Sequence, residues 1–281
     1  MCFRERWNGR LAAGIYQVES GMSRFIVLLA MAVPALAWQA PDPSPEEIDR
    51  IIRRMAEKET EFARARERYI WHQRYRFEEL GPDRRPVGKL ELEMDVLFDN
   101  AGKRIERVTY APMNTLRNII FTPEDEQDMR NVQPFVFTLK DLPNYRVRYL
   151  GREKIDEIDC YVFAVKPKSM VEGQRYFAGI VWVDDRDLQI VKTYGRGVGT
   201  GKRVANQRFP KFETWREQID GRYWFPTYTV SNDVLNFENG PIPIRLVMTY
   251  RDYKQFKAET TITFEGVDEP AAPAKPPAKK Q

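Results

Sequence analysis

From Tyr69 the chain alternates apolar and polar residues, and this change of period marks where helix gives way to sheet. Tyr69, Trp71, Gln73, Tyr75 and Phe77 interleave with His72, Arg74, Arg76 and Glu78, the period of two expected of a strand with one covered face. Upstream, Ile48, Ile51, Ile52, Met55, Phe62 and Ala63 recur at helical spacing, with Glu59 interrupting the stripe. Ser44 as N-cap, Pro45 in the first turn and Glu47 completing a capping box predict a helix running to about Arg66. Leu90, Leu92, Met94 and Val96 alternate with Lys89, Glu91, Glu93 and Asp95, and Asp99 to Gly102 predicts a hairpin turn into a strand over Ile105 to Tyr110. Thr122-Pro123-Glu124-Asp125-Glu126 predicts a second, short helix, because Pro134 and Pro143 follow.

Tyr145 to Gly195 predicts four strands, with turns around Asp156–Asp159, Lys166–Lys168 and Asp184–Asp187. Gly195, Gly197, Gly199 and Gly201 read as a flexible crossing. Strands are expected again over Val204 to Ile219, Tyr223 to Tyr228, Leu246 to Phe256 and Thr260 to Phe264, with a hairpin at Asp220-Gly221. The fold class is mainly β: a strongly curved antiparallel sheet of about ten strands, an open barrel with the helices on its concave face.

The ends of the chain differ in character. Met22-Ser23-Arg24, the apolar run Phe25 to Val33 and the Ala35-Leu36-Ala37 site are the three parts of a secretory signal peptide, with cleavage expected before Trp38. The rival, an uncleaved anchor, is disfavoured because spanning a bilayer takes about 20 apolar residues. The expected organisation is an N-terminal extension and signal over 1–37, a proline-rich lead over 38–43, one domain over 44–265 and a Pro/Ala/Lys tail over 266–281 that cannot build a core. No cysteine follows the cleavage site to carry a lipid, and Cys160 is left alone, so an exported, soluble periplasmic protein without an internal disulfide is expected.

Composition narrows the chemistry. The formal charge is +4 with both signs interspersed, which excludes a dedicated nucleic-acid binder. His72 is the single histidine and sits on the polar face of its strand, so Ser-His-Asp, Cys-His and zinc sites lack members. The glycine run ends in Lys202-Arg203 and has Arg196 where a phosphate loop needs glycine. Asp184, Asp185 and Asp187 lack the further ligands of a calcium loop and read as a turn. Arg64-Ala65-Arg66 and Arg84-Arg85 read as solvated faces. No catalytic residue, metal or cofactor is assigned. Aromatics make up 12% of the chain. Trp71, Tyr75, Phe77, Leu92, Met94, Val96, Phe163, Tyr176, Ile180, Trp182, Phe225 and Met248 either pack a solid core or line a cavity for an acyl chain.

Three stretches carry a resemblance. The first is the amphipathic helix leading into long strands. The second is Ile158-Asp159-Cys160-Tyr161-Val162-Phe163-Ala164-Val165-Lys166-Pro167, followed by Ile180-Val181-Trp182-Val183-Asp184 and Leu188-Gln189-Ile190-Val191. The third is Ile219-Asp220-Gly221-Arg222-Tyr223-Trp224-Phe225-Pro226. Together they resemble the outer-membrane lipoprotein-sorting (LolA-like) superfamily over Ser44 to Phe264. The resemblance implies an unclosed barrel with a helical lid and a monomeric, non-enzymatic periplasmic carrier of lipoprotein acyl chains or lipid. An envelope sensor or scaffold that meets a membrane protein is the alternative it leaves open.

Overall fold

The computed structural model describes residues 42–200, 209–237 and 240–256. The signal-peptide reading, the Thr260–Phe264 strand, Val204–Arg208 and the tail lie outside them. Helix α1 (Pro45–Arg66) opens with both halves of the capping box: Ser44 Oγ accepts from Glu47 N and the Glu47 carboxylate accepts from Ser44 N. Its covered stripe is Met55, Ala56, Glu59 and Phe62.

Ten strands follow: β1 (Tyr69–Leu80), β2 (Pro86–Phe98), β3 (Arg104–Tyr110), β4 (Tyr145–Ile155), β5 (Ile158–Pro167), β6 (Tyr176–Asp184), β7 (Ile190–Val198), β8 (Phe212–Ile219), β9 (Tyr223–Phe237) and β10 (Gly240–Gln255). They form one antiparallel sheet in the order β3-β2-β1-β10-β9-β8-β7-β6-β5-β4. Among the described residues β3 and β4 are each paired on one side only, so the sheet is open and not closed into a barrel. Register shifts at Ile70/His72, Glu93/Met94, Tyr149/Gly151, Trp182/Val183 and Trp215/Arg216 are bulges of the kind that bend a sheet. β1–β3 and β4–β10 are each simple meanders. The pairing of β1 with β10, running from Tyr69↔Gln255 to Glu79↔Ile244, joins them.

The link from β3 to β4 returns across the concave face. It holds the short helix α2 (Pro123–Gln127), a wide π-type turn over Asp128–Val132 and a 3-10 turn over Leu142–Asn144. Glu79, wholly buried, anchors its start by accepting from the backbone N–H groups of Arg117, Asn118 and Ile119 at 2.6–3.0 Å. Farther on, the Thr60 hydroxyl of α1 accepts from Leu139 N. α1 and this returning segment are thus tied to the sheet by side chains and by a backbone bond from Thr115 N to Lys89 O of β2, and not by a strand ladder.

Two expectations need correction. The first half of the glycine run is no flexible crossing: Gly195 and Gly197 lie inside β7, whereas Gly201 lies outside the described residues. A Cβ on Gly195 would come within 2.5 Å of Ala178 O and 2.7 Å of the Phe177 ring, and one on Gly197 would collide with the Asp128 carboxylate. The bare backbone lets these side chains lie flat on the strand. Arg66 is also not on a solvated face, as described below. The strand signal over Val230–Ile244 is hidden by Pro241 and Pro243, which β10 tolerates because its pairing with β1 starts only at Ile244.

Candidate functional site

The side chains on the concave face follow from the register. A single row runs across eight strands: Tyr149, Phe163, Val181, Thr193, Thr214, Thr229, Met248 and Tyr75. Its ends are apolar and its middle is three buried threonines. Tyr250 Oη, Thr229 Oγ1 and Thr214 Oγ1 stand at 3.2 and 2.8 Å, and Thr214 donates to Gln133 O at 2.8 Å. One proton per hydroxyl satisfies a chain in which Tyr250 donates to Thr229 and Thr229 to Thr214.

The candidate lining residues divide by location. Trp71, Tyr75, Phe77, Met94, Val96 and Met248 are buried together under β1, β2 and β10, with Leu92 packed against them. Phe163 belongs to a second cluster with Met55, Phe135, Phe137, Tyr145 and Phe177. Phe225 meets Phe62 edge-on at 5.0 Å in a third. Trp182 and Ile180 lie on the other side of the sheet with Cys160, Val162, Val191 and Trp224. Alternation along β6 puts Phe177, Val181 and Val183 inside instead. Burial pushes the Cys160 thiol up to about 12, so this cysteine is a packing residue. Of the candidates, Tyr176 lines a cavity of about 320 Å³.

That cavity lies along the returning segment. Val132, Pro134, Phe135, Val136, Tyr145 and Phe177 supply its apolar wall. Arg66, Arg130, Arg175, Asn131, Asp141 and Gln174 supply the polar one. Phe135 stacks on Phe177 at 4.4 Å and Tyr145 meets Phe137 edge-on at 5.6 Å.

Charged groups thread this interior. Glu59, the break in the stripe of α1, is buried and accepts from Arg216 Nη1 at 3.0 Å and from Ile190 N at 3.1 Å. Arg216 also donates to the carbonyl of Phe135. Asp128 and Arg175 form a bidentate pair at 2.9 and 2.7 Å. Burial raises the Asp128 carboxyl to about 6, against the opposing pull of Arg175. Glu106 accepts from both Arg104 and Arg130. Arg66 follows Glu59 by two helical turns on the same stripe. Its Nε is cut off from solvent without an acceptor, although the residue as a whole keeps some exposure. Burial, then Arg104 and Arg216, push this guanidinium down to about 10. Among the described residues five shielded polar atoms have no hydrogen-bond partner: Arg66 Nε, Gln73 Nε2, Gln133 Oε1, Arg175 Nη1 and Thr193 Oγ1.

Sequence reasoning missed Arg66, Arg216 and Asp128. For Arg66 a usable signal existed, its seven-residue spacing from Glu59 on the buried stripe. His72 is on the outer face between Asp95 at 3.0 Å and Glu93 at 3.5 Å. Asp184 accepts from Arg186 N and Asp187 N, the turn expected of it. Among the described residues no cluster of three His, Cys, Asp or Glu is placed to hold a metal. No described helix is long and apolar enough to cross a membrane.

No protein-family model matches the chain, and no curated protein matches it significantly. Solved structures resemble it at low identity. A DUF1329 family protein from Desulfovibrio piger is similar at 16% identity and a TM-score of 0.42, over 79% of this chain and 96% of that one. A LolA superfamily protein from Nitrosomonas europaea is similar at 13% identity and a TM-score of 0.33, over 73% and 93%. An outer membrane lipoprotein-sorting protein domain from Vibrio parahaemolyticus is similar at 13% identity and a TM-score of 0.32, over the same shares. At these values the likeness is a loose one of fold and says nothing about ligand or partner.

Proposed function

We propose that this protein is an exported, non-enzymatic binding protein that takes an acyl-bearing amphiphile, a lipid or a lipoprotein, onto the concave face of its sheet. One observation carries this reading. The face is covered by two segments, α1 and the β3–β4 return, that join no strand ladder, and a cavity of about 320 Å³ runs along the return with Arg66 of α1 in its wall. Such a volume is at the small end of ligand pockets, which run from about 300 to 1,000 Å³. A whole acyl chain therefore enters only as α1 lifts and draws its Met55, Ala56 and Phe62 out of the concave face. The aromatic wall then serves as closed core without ligand and as lining with it.

Native mass spectrometry of the purified protein, combined with displacement of a fluorescent fatty acid, tests this. Retained lipid and saturable displacement are the expected result. An interior that excludes every amphiphile would overturn it. Capture of outer-membrane lipoproteins from a periplasmic extract would identify a carrier. A scaffold role is the second reading, favoured by the edge at β3, which has no outer partner strand among the described residues and where Val108 and Tyr110 are exposed. Capture of a membrane protein's periplasmic segment would select that role.

A further inference from the structure

Every other arginine around the cavity has a carboxylate of its own. Arg216 has Glu59, Arg175 has Asp128, Arg104 has Glu106, and Arg130 has Glu106 and Glu126. Among the described residues, Arg66 has none. Its aromatic neighbour Phe62, 5.8 Å from the guanidinium carbon, takes no hydrogen bond from it. Its Nε is shielded, and so is Arg175 Nη1, on a side chain that is 2% exposed. Both side chains line the same cavity as Phe135, Tyr145 and Phe177.

An unpaired guanidinium partly withdrawn from water is a cost to the fold. It is lost only if an acceptor of opposite charge arrives. A carboxylate or phosphate matches that need in charge and geometry, because the planar fork of arginine presents parallel N–H groups to two oxygens. The apolar wall of Phe135, Tyr145 and Phe177 begins within the same cavity, so the anion that fits carries a hydrocarbon part.

We propose that the ligand of this face is an anionic amphiphile, its oxyanion head held by Arg66 and its hydrocarbon against Phe135, Tyr145 and Phe177. This rests on the reading that the concave face binds amphiphiles at all. Arg66 then fixes the orientation, head toward the C-terminal end of α1 and tail toward the wall.

The test compares probes of equal chain length: dodecanoate, dodecyl phosphate, dodecyl maltoside and dodecyltrimethylammonium, with inorganic phosphate as the head alone. Binding is read by calorimetry and thermal shift on the wild-type chain and on Arg66→Met. Dodecanoate and dodecyl phosphate should bind about tenfold or more tighter than the maltoside. That preference should vanish in Arg66→Met while maltoside binding stays unchanged. The unliganded variant should melt at a higher temperature than wild type, because a half-buried unpaired charge is gone. If Arg66→Met fails to fold, Arg66→Lys keeps the charge without the fork and should retain part of the preference. Equal binding of maltoside and anions, or a preference that survives Arg66→Met, overturns the inference and leaves amphiphile binding standing. Inorganic phosphate bound as tightly as dodecyl phosphate overturns it too, in favour of a simple anion site. No binding by any dodecyl probe removes both readings.

Discussion

Both faces of the sheet carry ion pairs, and water makes them different objects. On the convex side of β1, β2 and β10, Arg74 meets Glu93, Arg76 and Arg245 meet Glu78, Lys89 meets Glu91 and Arg107 meets Asp95. Each basic partner there is at least 41% exposed. Water screens the basic end of each pair, and those whose carboxylate is open too, Arg74–Glu93 and Arg107–Asp95, contribute at most about 1 kcal/mol. On the concave side Glu59–Arg216 and Asp128–Arg175 are at most 8% exposed. There the attraction is large and so is the desolvation it must offset. The convex ladder keeps the surface polar. The concave pairs decide where α1 and the returning segment sit.

The contrast is most exposed to attack at Arg216. Arg216→Met strands the Glu59 carboxylate and should cost about 3–5 kcal/mol in denaturant unfolding, while Glu59→Met/Arg216→Met should recover most of that. A double variant as unstable as the single one would show that packing, and not the stranded charge, carries the loss.

The second concave pair gives a pH signature. The folded Asp128 carboxyl, at about 6, lies above its ordinary value of 3.8, so the native state binds the proton more tightly than the unfolded chain. Its contribution to stability is full below about pH 4 and is lost as pH rises through about 6. Stability relative to Asp128→Asn should therefore fall by up to about 3 kcal/mol between pH 4 and 7. Parallel pH profiles would remove Asp128 as the source.

Gly197→Ala drives a methyl group into that same pair and should cost about 1–3 kcal/mol, less in the Asp128→Asn background if displacement of the carboxylate is the cause. Removing the cap of α1 with Ser44→Ala should cost about 1 kcal/mol. Arg107→Ala, on the convex ladder, should change stability by no more than about 0.5 kcal/mol and less still in high salt. A convex substitution as costly as Arg216→Met would erase the distinction between the faces.

What could be read in advance was local. The Ser44–Glu47 box, the alternation in β1 and β2, the Asp99–Gly102 hairpin and the Asp184 turn are each written within a few residues. The candidate site was half legible. Alternation identified the apolar side chains, but Trp182 and Phe163 face opposite sides because the sense of alternation along a strand depends on which neighbour covers it. Glu59 looked like a flaw in an apolar stripe because its partner lies 157 positions away. Arg66 was taken with its neighbour Arg64, although two residues on a helix differ by more than half a turn. The glycines were read as freedom when their use is close approach.

The β1–β10 ladder has a kinetic meaning. Each meander can assemble from neighbouring hairpins, but joining Tyr69 to Gln255 closes a loop holding nearly all the described chain, a slow kind of event. Until it closes, β1 and β10 are raw edges open to other chains. α1 also has only part of its seat, since it touches both meanders. The Glu59–Arg216 pair should then form after the folding barrier, so Arg216→Met should speed unfolding and leave the refolding rate nearly unchanged. A refolding rate slowed in step with the lost stability would mean that the helix settles before the two meanders meet.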